Sequence, residues 1–279
     1  MNRILVGVSG AATSYPAIAW ATEFASPSHT PVELVHVVDI TWGLPAPDFI
    51  AEALLRAEDE LRGEVEKATA AHPTVPITSY TACGSPVSEL VARGEDADLI
   101  VVGAHPKRHR GRAGSKPVRI AGLAACSVVV VPSDLRSTAS GVVVGVDGSE
   151  DSAAAVTFGA AMADRYGETL TVVHAWDDPE PWGMVEPMLV PTEPADEDRI
   201  VLAEAIGGLA TMYPDLQIRS EVISSPAVTA LYSASIGARL VVVGSRGRHG
   251  VAKALLGSVS EELVAELPCP VAVIRPSKN

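Results

Sequence analysis

The chain predicts two tandem α/β domains, each a doubly wound, five-stranded parallel open sheet with helices on both faces. Three observations carry that expectation. First, residues 4–38 align without a gap on residues 142–176, at an offset of 138. Val6, Gly7, Val8, Gly10, Ser14, Ala17, Ala25, Val35 and His36 match Val144, Gly145, Val146, Gly148, Ser152, Ala155, Ala163, Val173 and His174. A repeat of that period is far too long for a solenoid and marks two copies of one domain. Second, short β-branched runs alternate with helical stretches, the order of βα units joined by right-handed crossovers. Third, the runs are almost continuous Val, Ile and Leu, as in strands covered on both faces.

The first copy enters a strand near 3–8 through Ile4-Leu-Val-Gly-Val8 and a helix near 14–26. A strand near 32–38, a long helix near 49–71 and a strand near 76–82 follow. A helix near 85–95 leads to the strand near 98–103, then a helix near 115–125 and a last strand near 127–131. The second copy repeats this with strands near 141–146, 169–175, 216–223, 239–243 and 270–274. Its helices are expected near 151–166, 196–212, 226–237 and 258–267. Two late matches reinforce the repeat: Ala97–Gly103 with Ala238–Gly244, and Cys126–Val131 with Cys269–Ile274. Between the copies, Pro132–Ser140 is polar and without hydrophobic pattern, which sets expected domains at 1–133 and 140–279.

With 279 residues, 47% hydrophobic and 20% charged, the chain has enough apolar material for two cores. A net charge of −13 argues against a nucleic-acid or anionic-membrane surface. Any anion must therefore be held by local donors. Cys83, Cys126 and Cys269 have no C-x-x-C spacing and read as reduced thiols. The first ten residues lack a signal-peptide design, and no apolar run reaches membrane-spanning length, so a cytoplasmic protein is expected.

The most informative motif is Gly244-Ser-Arg-Gly247, followed by Gly257-Ser258. It lies between the strand run Leu240–Val243 and a helical pattern that starts at Ser258. Glycines there let loop N–H groups approach a ligand or adopt positive φ. The helix start adds unpaired N–H groups and the positive end of the dipole. That set of donors suits a polyphosphate. In a doubly wound sheet, ligands bind beyond the strand ends where the strand order reverses, so this loop should meet Val146-Asp147-Gly148-Ser149.

At these residues the chain resembles the universal stress protein family in its tandem form, over nearly its whole length. Val-Gly-Val-Asp147-Gly-Ser149 is similar to the family's first-strand signature, and Gly244-x2-Gly247-x9-Gly257-Ser258 to its ATP-binding motif. The resemblance implies a five-stranded sheet of order 3-2-1-4-5 in each domain, with the final strands joining the domains as a pseudo-dimer. It also implies adenine against the backbone of His174-Ala175-Trp176, and phosphates on the Gly244 loop and the helix start at Ser258. The nucleotide site so implied comprises Gly145, Asp147, Ala175, Gly244, Ser245, Arg246, Gly247, Arg248, His249, Gly250, Gly257, Ser258, Val259 and Ser260. Ser258 and Ser260 offer hydroxyls at the helix start. Arg246 and Arg248 either make charge-assisted contacts or form a solvated loop face. Asp147 either binds a ribose hydroxyl or Mg²⁺, or caps the helix that follows.

The first copy departs from this pattern. Ser9 stands for Asp147, and Pro106, with no N–H, stands for Gly247. The loop from Gly103 to Gly114 is two residues shorter than that from Gly244 to Gly257, and Lys116-Pro117 follows Gly114-Ser115. The basic residues Lys107–Arg110 and Arg112 read as a solvated face or an unspecific anion site. Nucleotide is therefore expected in the second copy only. His36 and His174 read as packed histidines beside the adenine position. Trp42 and Trp182 lie in the connections after the second strands; the second of these, 177–195, is either a lid, a partner surface or a spacer.

The leading function is an ATP-binding stress-response or signalling module. A slow ATPase or nucleotidyl/phosphoryl transferase is the enzymatic alternative, and a nucleotide-free scaffold the third. The chain has no Gly-Lys dipeptide and hence no Walker A motif, and no carboxylate or His is placed by sequence as a general base. The expected partner is an adenine nucleotide, ATP with Mg²⁺, with no nucleic acid and no membrane. A protein partner and a homodimer are left open.

Overall fold

The computed structural model describes residues 3–10, 14–43, 46–105, 115–176, 196–248 and 256–276. The chain divides into two compact units, residues 1–137 with 261–273 and residues 138–260 with 274–279. The first repeat runs β1 (Ile4–Val8), α1 (Ser14–Ala25), β2 (Val32–Asp39), α2 (Pro47–Ala71) and β3 (Ile77–Gly84). It continues through α3 (Pro86–Arg93), β4 (Leu99–Ala104), α4 (Lys116–Leu123) and β5 (Ser127–Pro132). The second runs β6 (Val142–Val146), α5 (Glu150–Tyr166), β7 (Leu170–Trp176), α6 (Asp196–Ile206), α7 (Leu209–Met212) and β8 (Ile218–Ser224). It ends with α8 (Ala227–Ser235), β9 (Leu240–Gly244), α9 (Ser258–Glu266) and β10 (Val271–Ile274).

In the first unit the strand order is β3-β2-β1-β4-β5, all parallel, with Val6 opposite Leu34 on one side and Val101 on the other. Residues 271–273 of β10 cluster with this unit and pair antiparallel with β5, Val271 opposite Val130 and Val273 opposite Val128. In the second unit β6 is flanked in parallel by β7 and β9, and β8 pairs beyond β7. The α/β class and the doubly wound arrangement expected from the repeat are those of the structure.

Burial explains the strand composition. Every residue of β6 and β9 is buried, because helices cover both faces. Each buried Val or Leu contributes on the order of 2 kcal/mol, so polar substitutions have no place in these runs. The outer strands β3 and β8 carry exposed residues at Thr78–Tyr80 and Arg219–Glu221, and their sequences are correspondingly mixed. The predicted single helix over 196–212 is broken in two. Gly208 sits at φ 83°, the left-handed conformation that ends a helix.

Both repeats leave their central strand through a left-handed glycine. Gly10 (φ 68°) and Gly148 (φ 80°) both use the left-handed region to swing the chain round after β1 and β6. The helix after β6 is then capped by Ser149, whose hydroxyl accepts the Ser152 N–H at 3.1 Å. Both turns lie at the carboxyl end of the sheet, next to the fourth strand of the repeat.

Candidate functional site

Asp147 leaves β6 with its carboxylate pointing back into the turn. Its Oδ1 accepts the Ser149 N–H at 3.0 Å and the Ser149 hydroxyl at 2.6 Å, an Asx turn. Its Oδ2 accepts the N–H of Arg248 at 2.9 Å. The helix cap is therefore Ser149, and the alternative in which Asp147 caps the helix is corrected. Burial works against the Asp147 charge, but hydrogen bonds from the Ser149 hydroxyl and N–H, the Arg248 N–H and Ser152 outweigh it. The net effect holds the carboxyl below its usual value, so it is ionised at neutral pH.

A second carboxylate, Asp151 in the first turn of α5, was not singled out by sequence. Its Oδ2 accepts the Ser245 hydroxyl at 2.6 Å and the Arg246 N–H at 3.1 Å, with Arg246 Nε 3.9 Å away. The only signal for it was an acidic residue at a helix start, which is common to helices in general. Two loop amides, those of Arg248 and Arg246, thus each face an oxyanion, supplied by the turn after β6 and by the first turn of α5. The loops expected to converge do so.

The glycines of the loop serve close approach. None of Gly244, Gly247 and Gly257 has positive φ. A Cβ on Gly244 would lie 2.8 Å from the carbonyl carbon of Asp151, and one on Gly247 would run into Asp147 Oδ2. One on Gly257 would meet the Ser245 carbonyl at 3.4 Å. The alternative that these positions require positive φ is corrected; what they require is an absent side chain.

Other predicted site residues separate into lining and support. Ser258 is exposed at the start of α9, Val259 is half-buried, and the Arg246 and Arg248 side chains are exposed. Ser245 is fully buried; its N–H donates to the Ile274 carbonyl at 2.9 Å, and Arg275 reaches its hydroxyl at 3.3 Å. Ser260 is buried and donates its hydroxyl to the Gly244 carbonyl at 2.6 Å. The hydroxyl of Ser260, expected to face a ligand, instead holds the loop to the helix. Gly145 is buried within β6, where a Cβ would lie 2.8 Å from Leu231 Cδ1, so its bareness makes room for α8. Ala175 is half-buried in β7. His249, Gly250 and the connection 177–195 with Trp182 lie outside the described residues, as do Pro106 and the basic residues 107–112.

The two strand-end histidines differ. His174 is buried, with Nδ1 2.8 Å from the Val146 carbonyl and Nε2 3.0 Å from Asp198 Oδ1. His36 is half-buried and makes no hydrogen bond among the described residues; its Nδ1 is buried without a partner. The packed reading therefore describes His174 and fails for His36. Trp42 is exposed, donates Nε1–H to the Asp39 carbonyl at 2.6 Å and meets Phe49 edge-on.

Among the described residues no three His, Cys, Asp or Glu side chains converge as a metal site. A hard cation would therefore depend on ligand oxygens, and the ionised Asp147 is the kind of single carboxylate that Mg²⁺ takes beside phosphates. No described helix is long and apolar enough to cross a membrane.

Comparison with known proteins agrees with the fold. The model of the universal stress protein family matches residues 1–132 and again 140–275. Universal stress protein Rv2005c of Mycobacterium tuberculosis is 32% identical over 294 residues, covering 99% of this chain and 98% of its own. A universal stress protein of Mycolicibacterium smegmatis is 32% identical over 289 residues, covering 98% and 97%. A universal stress protein from Archaeoglobus fulgidus DSM 4304 superposes with a TM-score of 0.76 at 21% identity, over 99% of this chain and 97% of that one.

Proposed function

The chain belongs to the universal stress protein family, and from that premise we propose that its second repeat binds an adenine nucleotide. In this reading the protein is a cytoplasmic stress-response or signalling module whose output depends on the bound nucleotide. One observation carries it: the Arg246 and Arg248 amides each hold a carboxylate oxygen, from Asp151 and Asp147. A loop shaped to give N–H groups to oxyanions at a strand end is what phosphate recognition needs.

The phosphates would take the amides of residues 244–248 together with the exposed start of α9 at Ser258. The exposed Arg248 side chain, and that of Arg246 once it leaves Asp151, would swing onto the ligand. The adenine would lie against the backbone of residues 174–176. Mg²⁺ would be held by Asp147 with phosphate oxygens, and its contribution is to neutralise phosphate charge in a chain of net charge −13. Carboxylates at the amides also set a cost: an incoming phosphate must displace them or reach them through the cation. Nucleotide affinity should accordingly depend strongly on Mg²⁺.

The test is the small-molecule content of the purified chain, released by denaturation and identified by mass spectrometry, joined to calorimetry with ATP with and without Mg²⁺. Adenine nucleotide in the released fraction and Mg²⁺-dependent binding are expected. A chain that neither carries nor binds adenine nucleotide at millimolar concentration would overturn the reading.

A further inference from the structure

The first unit, which includes α9 from Glu261 onward, holds a cavity of about 690 Å³ at the carboxyl ends of β1, β2 and β4. Val8, Val35, Leu90, Val102, Ile120 and Val264 give it apolar walls. That volume is within the range of small-molecule pockets, about 300–1,000 Å³. A second cavity of about 550 Å³ shares Val8, Ser14, His36 and Glu60 with it and is also lined by Asp59, Glu64 and Lys67.

Among the described residues the charges around the first cavity do not suit an anion. The charged lining residues among them are Asp39, Arg56, Glu60 and Lys116. Lys116 Nζ donates to Asp39 Oδ2 at 2.6 Å, and Arg56 Nη2 to Glu52 Oε1 at 2.8 Å. Both cations are thus already neutralised by carboxylates of the chain. Glu60 makes no ion pair or hydrogen bond among the described residues, so it is the lining charge among them without an opposite partner. Ser9 replaces the carboxylate that pins the loop in the second repeat, and its N–H is taken by the Ser14 hydroxyl at 2.9 Å.

His36 is the open polar group of the cavity. Burial lowers the basicity of its imidazole more than Glu60 restores it, so the ring is neutral at pH 7, with one nitrogen a donor and the other an acceptor. Its counterpart His174 has both nitrogens engaged. Glu60 and Asp198 are related by the same offset of 138 as the two histidines, yet only Asp198 closes on its ring.

We propose that this crevice of the first repeat binds a small, mostly apolar molecule that carries one hydroxyl or amine and no negative charge, hydrogen-bonded to His36. The apolar body fills the space between Leu90, Val102 and Ile120, and the polar head meets the ring that the fold leaves unclamped. The inference stands independently of nucleotide binding in the second repeat.

The test is calorimetry of the full chain with 1-naphthalenemethanol, 1-naphthylmethylamine and 1-naphthoate, three probes of one body and different heads. The alcohol and amine should bind with Kd below about 1 mM, and the acid at least about tenfold more weakly. Ser9→Trp, on the exposed rim, and His36→Leu should each weaken the alcohol by about fivefold or more, with far-UV circular dichroism unchanged. Millimolar ATP should leave the alcohol's affinity as it is. Failure of the alcohol and amine to bind, an acid that binds as tightly, displacement by ATP, or unchanged affinity in both variants would each overturn the proposal.

Discussion

The second repeat closes the carboxyl end of its central strand with carboxylates, and the first leaves the same place open. After β6, Asp147 and Asp151 accept the Arg248 and Arg246 amides, and Asp198 clamps His174. After β1, Ser9 has replaced the first carboxylate, His36 has no hydrogen bond among the described residues, and a cavity of about 690 Å³ lies beside it. The strands beneath are nearly the same. The difference teaches that two copies of one fold can present different chemistry at the strand ends, through a few side chains on which the buried core places no demand.

The largest expected effect breaks the second site. Gly247→Val puts a side chain where Asp147 Oδ2 sits and should weaken Mg-ATP binding by at least about a hundredfold, with the far-UV spectrum kept. Titration of the unmodified chain should give about one nucleotide per chain, because the first repeat lacks the Asp147 and Gly247 equivalents. Two comparable sites would remove the asymmetry.

Next comes the support of the loop. Asp151→Ala leaves the buried Ser245 hydroxyl and the Arg246 N–H without their acceptor, at a cost of about 1–3 kcal/mol. Denaturant unfolding measures it; an unchanged midpoint would show that solvent accepts from these donors. A smaller effect separates the histidines: His174→Ala should destabilise by about 1–2 kcal/mol more than His36→Ala, since only the first breaks two hydrogen bonds. Equal losses would mean that His36 is as firmly held as its counterpart.

The smallest effect is in the acid limb. Asp147 has a folded pKa below its unfolded value, so its stabilisation is complete above the unfolded pKa and is lost as pH falls through the folded one. Melting temperatures of the unmodified chain and Asp147→Asn should keep a constant gap from neutral pH downward, narrowing only below about pH 4. A gap that does not change in acid would show that the carboxylate charge is not what holds the turn.

Much of the fold was legible because parallel strands buried on both faces leave unbroken apolar runs such as Val142–Val146 and Leu240–Val243. The break of α6 from α7 at Gly207-Gly208 was less so, since helical periodicity continues across it and only the left-handed φ of Gly208 reveals the stop. At the candidate site, Asp147 and the Gly244 loop stood out by motif, but Asp151 did not. An acid in a first turn is ordinary at any helix start, and nothing local says that it will accept a hydrogen bond from Ser245, far along the chain. Ser260 misled for a related reason: a hydroxyl at a helix start signals a cap or ligand donor, whereas this one faces inward to the Gly244 carbonyl.

By itself the sequence determined the duplication, the alternation of strand and helix, and the positions where a side chain had to be absent. Those are properties of periodicity and residue size, which act along the chain. Only the tertiary structure decided that carboxylates fill the amides of the second loop, that His174 is clamped while His36 is open, and that the first repeat encloses an apolar cavity. Hydrogen-bond satisfaction and enclosed volume depend on which distant atoms meet, and β6 and β9, neighbours in the sheet, are separated by nearly a hundred residues of chain.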